Sequence, residues 1–217
     1  MSRLSSNAGK VLFGCGLALA SIFLCEAHAK VIVLHAFAGG SDGARPEAAL
    51  LMDASGTLYG TTFEGGGGDC SLNGQLVGCG TVFRIGADGT ETELYAFQGG
   101  TDGAWPFARL SVDTKGNFYG STSEGGTGNQ GTVFRISPDG NESVLHSFAG
   151  VGGLADPLAG ILLDVEGNLY GTTYYDGDFH CNDAGGCGTV FALSPDNTET
   201  VVNRSRAEMT AHIRGRI

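Results

Sequence analysis

A pattern of four short strand-like runs recurs about three times along the chain, and it constrains the fold more strongly than any other feature of the sequence. The clearest copy occupies residues 106–148. The spacing from Gly80 to Tyr119 equals that from Gly131 to Tyr170, whereas the spacing from each tyrosine to the following glycine varies. The length variation therefore falls in one loop, as expected for a rigid scaffold with one permissive connection. Matching positions in the copies are Tyr59, Tyr119 and Tyr170; Gly80, Gly131 and Gly188; and Phe37, Phe97 and Phe148.

Each run has the residue pattern of a β-strand. Thr132, Phe134 and Ile136 alternate with Val133 and Arg135, which is the two-residue period of a strand. The turns between runs start with an aspartate, whose side chain can accept from the following backbone, and end with a glycine. These turn aspartates are Asp53, Asp113 and Asp164.

Four strands in about 50 residues are typical of a propeller blade. The sequence therefore predicts an all-β fold, a β-propeller-like array of about three four-stranded antiparallel blades. Closed propellers need about four to eight blades, so we expect an open or incomplete ring. The predicted repeat domain covers residues 30–202, with a strand at 30–37 and blades at 47–97, 107–148 and 158–202.

The two ends of the chain differ from the repeats. Residues 1–29 begin with the basic residues Arg3 and Lys10, continue with an apolar run over 11–25, and end with a small-x-small cleavage pattern at 27–29. This is the pattern of a secretory signal peptide, with an uncleaved membrane anchor as the alternative. We expect a secreted protein, extracellular, periplasmic or at the cell surface, whose mature chain has no membrane span. Residues 203–217 form an irregular basic tail, either native or a result of truncation.

The charge balance argues against nucleic acid as a partner. The formal net charge is −11 at pH 7, and the arginines of the tail follow a strongly acidic repeat domain. Such a domain repels a phosphate backbone, so a nucleic-acid-binding arm is not expected.

The cysteines outside the signal segment fall in the variable loop. Cys70 and Cys79 lie in this loop of the first copy, and Cys181 and Cys187 lie in the same loop of the third. In a secreted chain these spacings predict two local disulfides, Cys70–Cys79 and Cys181–Cys187. The alternative is a zinc site with His180 as a third ligand, although the spacings are not those of zinc knuckles.

Several motifs together resemble a known family. They are Gly-Thr-Leu-Tyr-Gly-Thr-Thr at 56–62, Phe-Gln-Gly-Gly-Thr-Asp-Gly-Ala-Trp-Pro at 97–106, Gly-Thr-Val-Phe-Arg-Ile-Ser-Pro-Asp-Gly at 131–140 and Gly-Asn-Leu-Tyr-Gly-Thr-Thr at 167–173. This set resembles the GloVer (Gloeo–Verruco) tandem repeat of secreted bacterial proteins, over roughly residues 31–202, and is similar to NHL- and kelch-type propeller blades. The family resemblance implies no assigned catalytic residues.

The similarity to NHL blades implies an order of strands from the inside outwards: A at about 107–113, B at 117–122, C at 131–137 and D at 142–148. The B–C loops and the connectors from D to the next A would then share one face. Loops held by a rigid scaffold often carry binding sites, so this face is the expected ligand surface.

The residue before the proline of each connector is a candidate ligand contact: Arg45, Trp105 and Asp156. Proline sterics predict an extended backbone at these positions. Trp105 could stack on a sugar ring, or it could plug the space between neighbouring blades.

Acidic side chains at the same face are further candidates. Asp102, like Asp42, is a turn former or a ligand contact, and calcium is conceivable there although no calcium-loop motif is present. Glu64 and Glu124 follow strand B where the third copy has Tyr175, and they are interpreted as solvated carboxylates or, alternatively, as acid–base groups. We predict no cofactor, no metal site and no catalytic residue.

These observations favour a secreted, non-enzymatic repeat protein that presents a binding or structural surface to a carbohydrate or a protein. One alternative is a propeller enzyme acting on polysaccharide through Glu64, Glu124 or Asp102. Another is a truncated, non-functional fragment. Open strand edges and apolar blade faces predict self-association.

Overall fold

The computed structural model describes residues 31–149, 155–175, 187–196 and 198–201. Within these ranges the regular structure is almost entirely β-strand, and the helical segments are two short 3₁₀ helices at Gly40–Asp42 and Gly100–Asp102. The all-β prediction is confirmed. Among the described residues, no helix has the length and hydrophobicity needed to cross a membrane. The described residues from Val33 onward belong to one compact unit.

The first repeat folds as an antiparallel meander with a hairpin inserted in its variable loop. Its sheet has the order β1-β2-β5-β6, while β3 and β4 pair only with each other. The strands are β1 (Leu51–Met52), β2 (Leu58–Thr62), β3 (Ser71–Leu72), β4 (Gln75–Leu76), β5 (Thr81–Ile85) and β6 (Glu91–Ala96).

The second repeat adds one strand to the same plan. Both β7 and β8 pair with β9, at its two ends, and β10 and β11 follow on the other side. The strands are β7 (Ala104–Pro106), β8 (Ser111–Val112), β9 (Phe118–Glu124), β10 (Thr132–Ile136) and β11 (Glu142–Ser147). The predicted A strand at 107–113 is thus shorter than expected. Between β7 and β8 the chain turns inward, where Ala108 and Leu110 are buried.

The third repeat has the sheet order β12-β13-β14-β15. Its strands are β12 (Leu162–Leu163), β13 (Leu169–Thr173), β14 (Thr189–Leu193) and β15 (Glu199–Val201). The three repeats are called the first, second and third units below. In each of them the strands pair in the predicted order A, B, C, D, so the predicted antiparallel blade topology is confirmed.

The same internal contacts recur in all three units. The hydroxyl groups of Tyr59, Tyr119 and Tyr170 each donate to the turn aspartate of their own unit, at 3.1, 3.1 and 2.9 Å. A buried threonine pair then links the end of strand B to the start of strand C, with the hydroxyl oxygens 2.8 Å apart in each case. The pairs are Thr62–Thr81, Thr122–Thr132 and Thr173–Thr189.

Phenylalanine side chains connect each unit to the next. Phe97 ends the first unit, but its ring packs edge-on against Phe134 of the second, with centroids 5.0 Å apart. Phe148 contacts Phe191 of the third unit in the same way, at 5.1 Å. The core is therefore shared across unit boundaries.

The segment before the first unit is not a strand. Residues 31–37, predicted as a strand, have no strand assignment, because no strand among the described residues pairs with them. Phe37 nevertheless packs on Phe83 with ring centroids 4.9 Å apart. It therefore occupies, beside the first unit, the place that Phe97 and Phe148 occupy beside the next two.

Candidate functional site

A cleft of about 420 Å³ opens beside the junction of the second and third units. It lies on the face formed by the B–C loops and the connectors, where the sequence predicted the ligand surface. Its wall combines apolar and aromatic side chains with two carboxylates and two amides. The lining residues are Phe63, Phe107, Ser123, Glu124, Asn129, Gln130, Asp156, Leu158 and Tyr175.

Backbone pairing positions the polar groups of this cleft. Glu124 is the last residue of β9 and lies opposite Ala104 of β7. Across the cleft, the carbonyl oxygen of Asp156 accepts from the backbone N–H of Tyr174 at 2.9 Å. The backbone N–H of Tyr175 donates to the carbonyl of Ala155 at 3.0 Å. Glu124 is thus held at a strand end, and Asp156 is held in a connector whose backbone pairs with the residues just after β13.

A side-chain bond joins the two units next to the cleft. The side-chain oxygen of Gln130, in the B–C loop of the second unit, accepts from the backbone N–H of Ala155 at 3.2 Å. Because Ala155 directly precedes Asp156, this bond fixes the connector against the loop that carries Asn129 and Gln130.

The backbone before each connector proline is not extended, so that prediction is wrong. Arg45, Trp105 and Asp156 have φ values of 56°, 59° and 55°, in the left-handed region. A non-glycine residue held there costs on the order of 1–3 kcal/mol. The connector pairs with the residues at the end of strand B, where the N–H groups of Phe63 and Tyr174 donate to the carbonyls of Arg45 and Asp156. This pairing outweighs the preference of a residue before proline for an extended backbone.

The two carboxylates of the cleft influence each other. Burial raises the pKa of Glu124, and the negative charge of Asp156 raises it further. Burial also raises the pKa of the Asp156 carboxyl group. This pair therefore favours a bound proton, a cation or a hydroxyl donor between or beside the two groups.

Glu64 occupies the position of Glu124 in the first unit, but its environment differs. Its carboxylate accepts a charged hydrogen bond from Arg45 at 2.7 Å. Arg45 also contacts Glu47 at 2.6 Å and lies over the ring of Phe63, 4.8 Å from its centroid. Glu64 is therefore neutralised by a local cation, and it does not line the cleft.

Trp105 is buried, with 8% of its surface exposed. Its ring stacks on Phe63 with centroids 5.5 Å apart, and its indole N–H donates to the carbonyl of Gly78 at 3.2 Å. The side chain fills the junction between the first and second units. Stacking of a sugar on this ring, one of the two predicted roles, is incompatible with that burial.

Asp102 lies apart from the cleft. It accepts from the hydroxyl of Tyr95 and from the backbone N–H of Gln98, both at 2.7 Å. Burial and the neighbouring Asp102 hold the pKa of Tyr95 above its ordinary value. These contacts support the interpretation of Asp102 as a turn former.

The predicted disulfide Cys70–Cys79 is confirmed. It closes the loop that contains the β3–β4 hairpin, and the carbonyl of Cys79 accepts from the backbone N–H of Trp105 at 2.8 Å. The second predicted pair, Cys181–Cys187, includes Cys181, which lies outside the described residues.

Sequence reasoning identified Glu124, Asp156 and Tyr175 separately, and the structure brings them together in one cleft. It missed the remaining lining residues. The sequence does contain a signal for Phe63. This residue directly precedes the candidate Glu64 and is equivalent to Ser123 and Tyr174 in the other copies. For Phe107 and Leu158 the sequence holds a weaker signal, in that each follows a connector proline.

Comparison with known proteins gives a family match. The profile of a family described as the Gloeobacter/Verrucomicrobia repeat matches residues 18–215. A search of the curated proteins finds no match for this chain.

Two solved structures are similar in fold. One is an X-ray structure of a proposed gluconolactonase, with 20% identity, a TM-score of 0.39, and coverage of 70% of this chain and 45% of that one. The other is a luciferin-regenerating enzyme, with 15% identity, a TM-score of 0.42, and coverage of 71% and 44%. The chain thus spans less than half the length of both proteins.

Proposed function

The chain belongs to the Gloeobacter/Verrucomicrobia repeat family, and we propose that it is a secreted, non-enzymatic repeat protein that binds a neutral carbohydrate in the cleft at Glu124 and Asp156. The observation that carries the proposal is the convergence, in one cleft, of the carboxylates of Glu124 and Asp156, two amides and three aromatic rings. The fold supplies a rigid support for the two carboxylates, because Glu124 ends β9 and the connector that carries Asp156 is paired with Tyr174 and Tyr175.

The lining chemistry matches the chemistry of a sugar. Carboxylates accept hydrogen bonds from hydroxyl groups, and the side chains of Asn129 and Gln130 carry both donors and acceptors. Aromatic rings such as Phe107 and Tyr175 offer flat apolar surface against which the C–H face of a sugar ring can pack. The combination of apolar surface with convergent polar groups is a general feature of small-ligand sites.

The charge of the cleft limits the ligand class. Glu124 and Asp156 face the same space, and the whole chain has a formal net charge of −11. An anionic ligand would meet like charge at short range, which costs binding free energy. A neutral oligosaccharide fits better than a phosphorylated or acidic one.

Two features support export to an oxidising compartment. The Cys70–Cys79 disulfide is of the kind that persists outside the cytosol. Residues 1–29, which lie outside the described part of the chain, carry the sequence pattern of a signal peptide.

The test compares equivalent positions of two units. Neutral oligosaccharides are screened on an array, and the affinity of the best binder is measured by calorimetry. We expect Glu124→Gln to weaken binding by about tenfold, since a charge-assisted hydrogen bond is lost. Glu64→Gln is the matched control and leaves binding unchanged. Equal loss in both variants, or binding only to acidic glycans, would refute the assignment.

A second function, cleavage of polysaccharide, is favoured by one observation: the raised pKa of Glu124 beside the charge of Asp156. Glycoside hydrolases use two carboxyl groups of unequal pKa on either side of the scissile bond. Release of reducing ends from a polysaccharide, abolished in Glu124→Gln while binding persists, would select the enzyme over the binding module.

A further inference from the structure

A separate cluster of side chains lies where residues 33–46 meet the first unit. It consists of His35, Asp42 and Glu91, whose potential ligand atoms all lie within 4.8 Å of one another. The three residues come from the segment before the first 3₁₀ helix, from that helix, and from the start of β6. None of them lines the cleft described above.

Local contacts orient the cluster. The Nε2 atom of His35 lies 2.9 Å from Oδ1 of Asp42, and the two side chains are 21% and 25% exposed. The other oxygen of Asp42 accepts from the backbone N–H of Ala38. The imidazole ring also packs edge-on against Phe37, with centroids 4.7 Å apart. The imidazole and one carboxylate are thus held in place before any ligand binds.

We propose that His35, Asp42 and Glu91 bind a divalent transition-metal ion of the zinc class. One imidazole and two carboxylates form a donor set that suits zinc, whereas calcium prefers six to eight oxygen ligands. Ligand atoms at roughly 2.1 Å from a tetrahedral ion stand about 3.4 Å apart, so a small closure of the cluster completes the site. Water would occupy the fourth position.

The junction between the first and second units supplies an internal comparison. The corresponding residues there are Tyr95, Asp102 and Glu142. There the tyrosine hydroxyl donates to the aspartate at 2.7 Å, so a phenol stabilises the same turn without a metal ligand. The fold at this position therefore accepts tyrosine, and the histidine adds a capacity for metal binding that the turn itself does not require.

The experiment uses the mature chain and Zn²⁺ alone. Zinc affinity and stoichiometry are measured by calorimetry, and Co²⁺ is used as a spectroscopic substitute that reports the coordination geometry. In His35→Tyr we expect one equivalent of Zn²⁺ to be lost, or bound at least about tenfold more weakly. The same exchange at the corresponding repeat position, His146→Tyr, leaves that equivalent bound. Calcium at the same concentration does not displace it.

A second variant keeps the test decisive if His35→Tyr folds poorly. Glu91→Gln replaces a carboxylate ligand by an amide, and we expect the same loss of one zinc equivalent together with its Co²⁺ absorption bands. Unchanged stoichiometry and affinity in both variants, or a wild-type chain that binds no Zn²⁺ at micromolar concentrations, would overturn the proposal.

Discussion

The indole ring of Trp105 stacks on the phenyl ring of Phe63, with centroids 5.5 Å apart and an interplanar angle of 27°. The corresponding residue of the next connector is Asp156, which has nearly the same backbone φ and a much smaller side chain. The cleft beside the second and third units therefore corresponds to the space that the Trp105 side chain fills between the first and second units.

Asp156→Trp is expected to close the cleft, since the backbone at this position already has the φ that Trp105 adopts. Oligosaccharide affinity should fall by more than about tenfold, because both the volume and one carboxylate are lost. Calorimetry measures the affinity, and thermal unfolding shows whether the chain stays folded. Asp156→Asn removes the carboxylate but keeps the cleft open, so it serves as the control for the loss of volume. Full binding by the tryptophan variant would place the ligand elsewhere.

Gly120→Ala is expected to destabilise the second unit by about 1–3 kcal/mol. A Cβ atom at this position would lie 2.5 Å from Cζ of Phe134, a buried ring that cannot move away. Urea denaturation measures the change in the free energy of unfolding.

Gly67→Ala is the matched control, since its Cβ would meet only the flexible end of Gln98. Adding Phe134→Leu to the Gly120→Ala variant should recover part of the loss by making room for the methyl group. Equal destabilisation by the two alanine substitutions would contradict the steric explanation.

The stability of the fold should fall between pH 4.5 and about 7 because of Glu142. Burial raises the pKa of this carboxyl group from 4.5 to about 7, and the charge of Asp102 adds to the effect. The folded chain therefore holds the proton more tightly than the unfolded chain, so the contribution is complete below pH 4.5 and is lost as the pH rises through 7. Because Glu142 is only half-buried, solvent screening limits the change to about 1 kcal/mol.

Glu142→Gln tests this assignment. Oε1 of Glu142 is buried and has no hydrogen-bond partner among the residues that the structure describes. The variant should lose the dependence of unfolding free energy on pH in this window and become the more stable chain near pH 8. Parallel stability curves for the two proteins would show that another group titrates.

Removing the Cys70–Cys79 disulfide by a double serine substitution should cost about 2–3 kcal/mol of stability, as expected for a short closed loop. The same loop accepts two hydrogen bonds from Trp105, so its loosening should also expose the indole ring. Trp105 is the single tryptophan of the chain, and a red shift of its fluorescence reports this directly. Serine at Cys181 and Cys187 should leave the emission unchanged.

Self-association is expected through the A-strand edges, where Met52, Val112 and Leu162 are exposed apolar side chains. Light scattering coupled to gel filtration measures the mass at increasing concentration. Serine at Met52 and Leu162 should shift the distribution toward monomer. A wild-type chain that stays monomeric at high concentration would contradict this expectation.

The regular spacing of the repeats was sufficient to predict the blades, because each turn aspartate and its tyrosine belong to one short hairpin. The cleft was not predictable in the same way. Glu124 and Asp156 stood out individually, but the distance between them depends on how two units pack, which no local pattern encodes. The backbone of Asp156 was mispredicted because sheet pairing, a non-local interaction, outweighs the local effect of the following proline.

The packing of Phe97 on Phe134 bears on how such chains can be rearranged. Phe97 follows the last strand of the first unit, but its ring packs in the core of the second. A self-contained segment of this protein therefore begins at the terminal phenylalanine of one unit and ends before that of the next. A graft of residues 97–147 would bring its own interior partner. A graft of residues 107–148 would instead depend on the phenylalanine that ends the preceding copy to cover Phe134. Recombination of these repeats should therefore succeed at breakpoints just before the terminal phenylalanine.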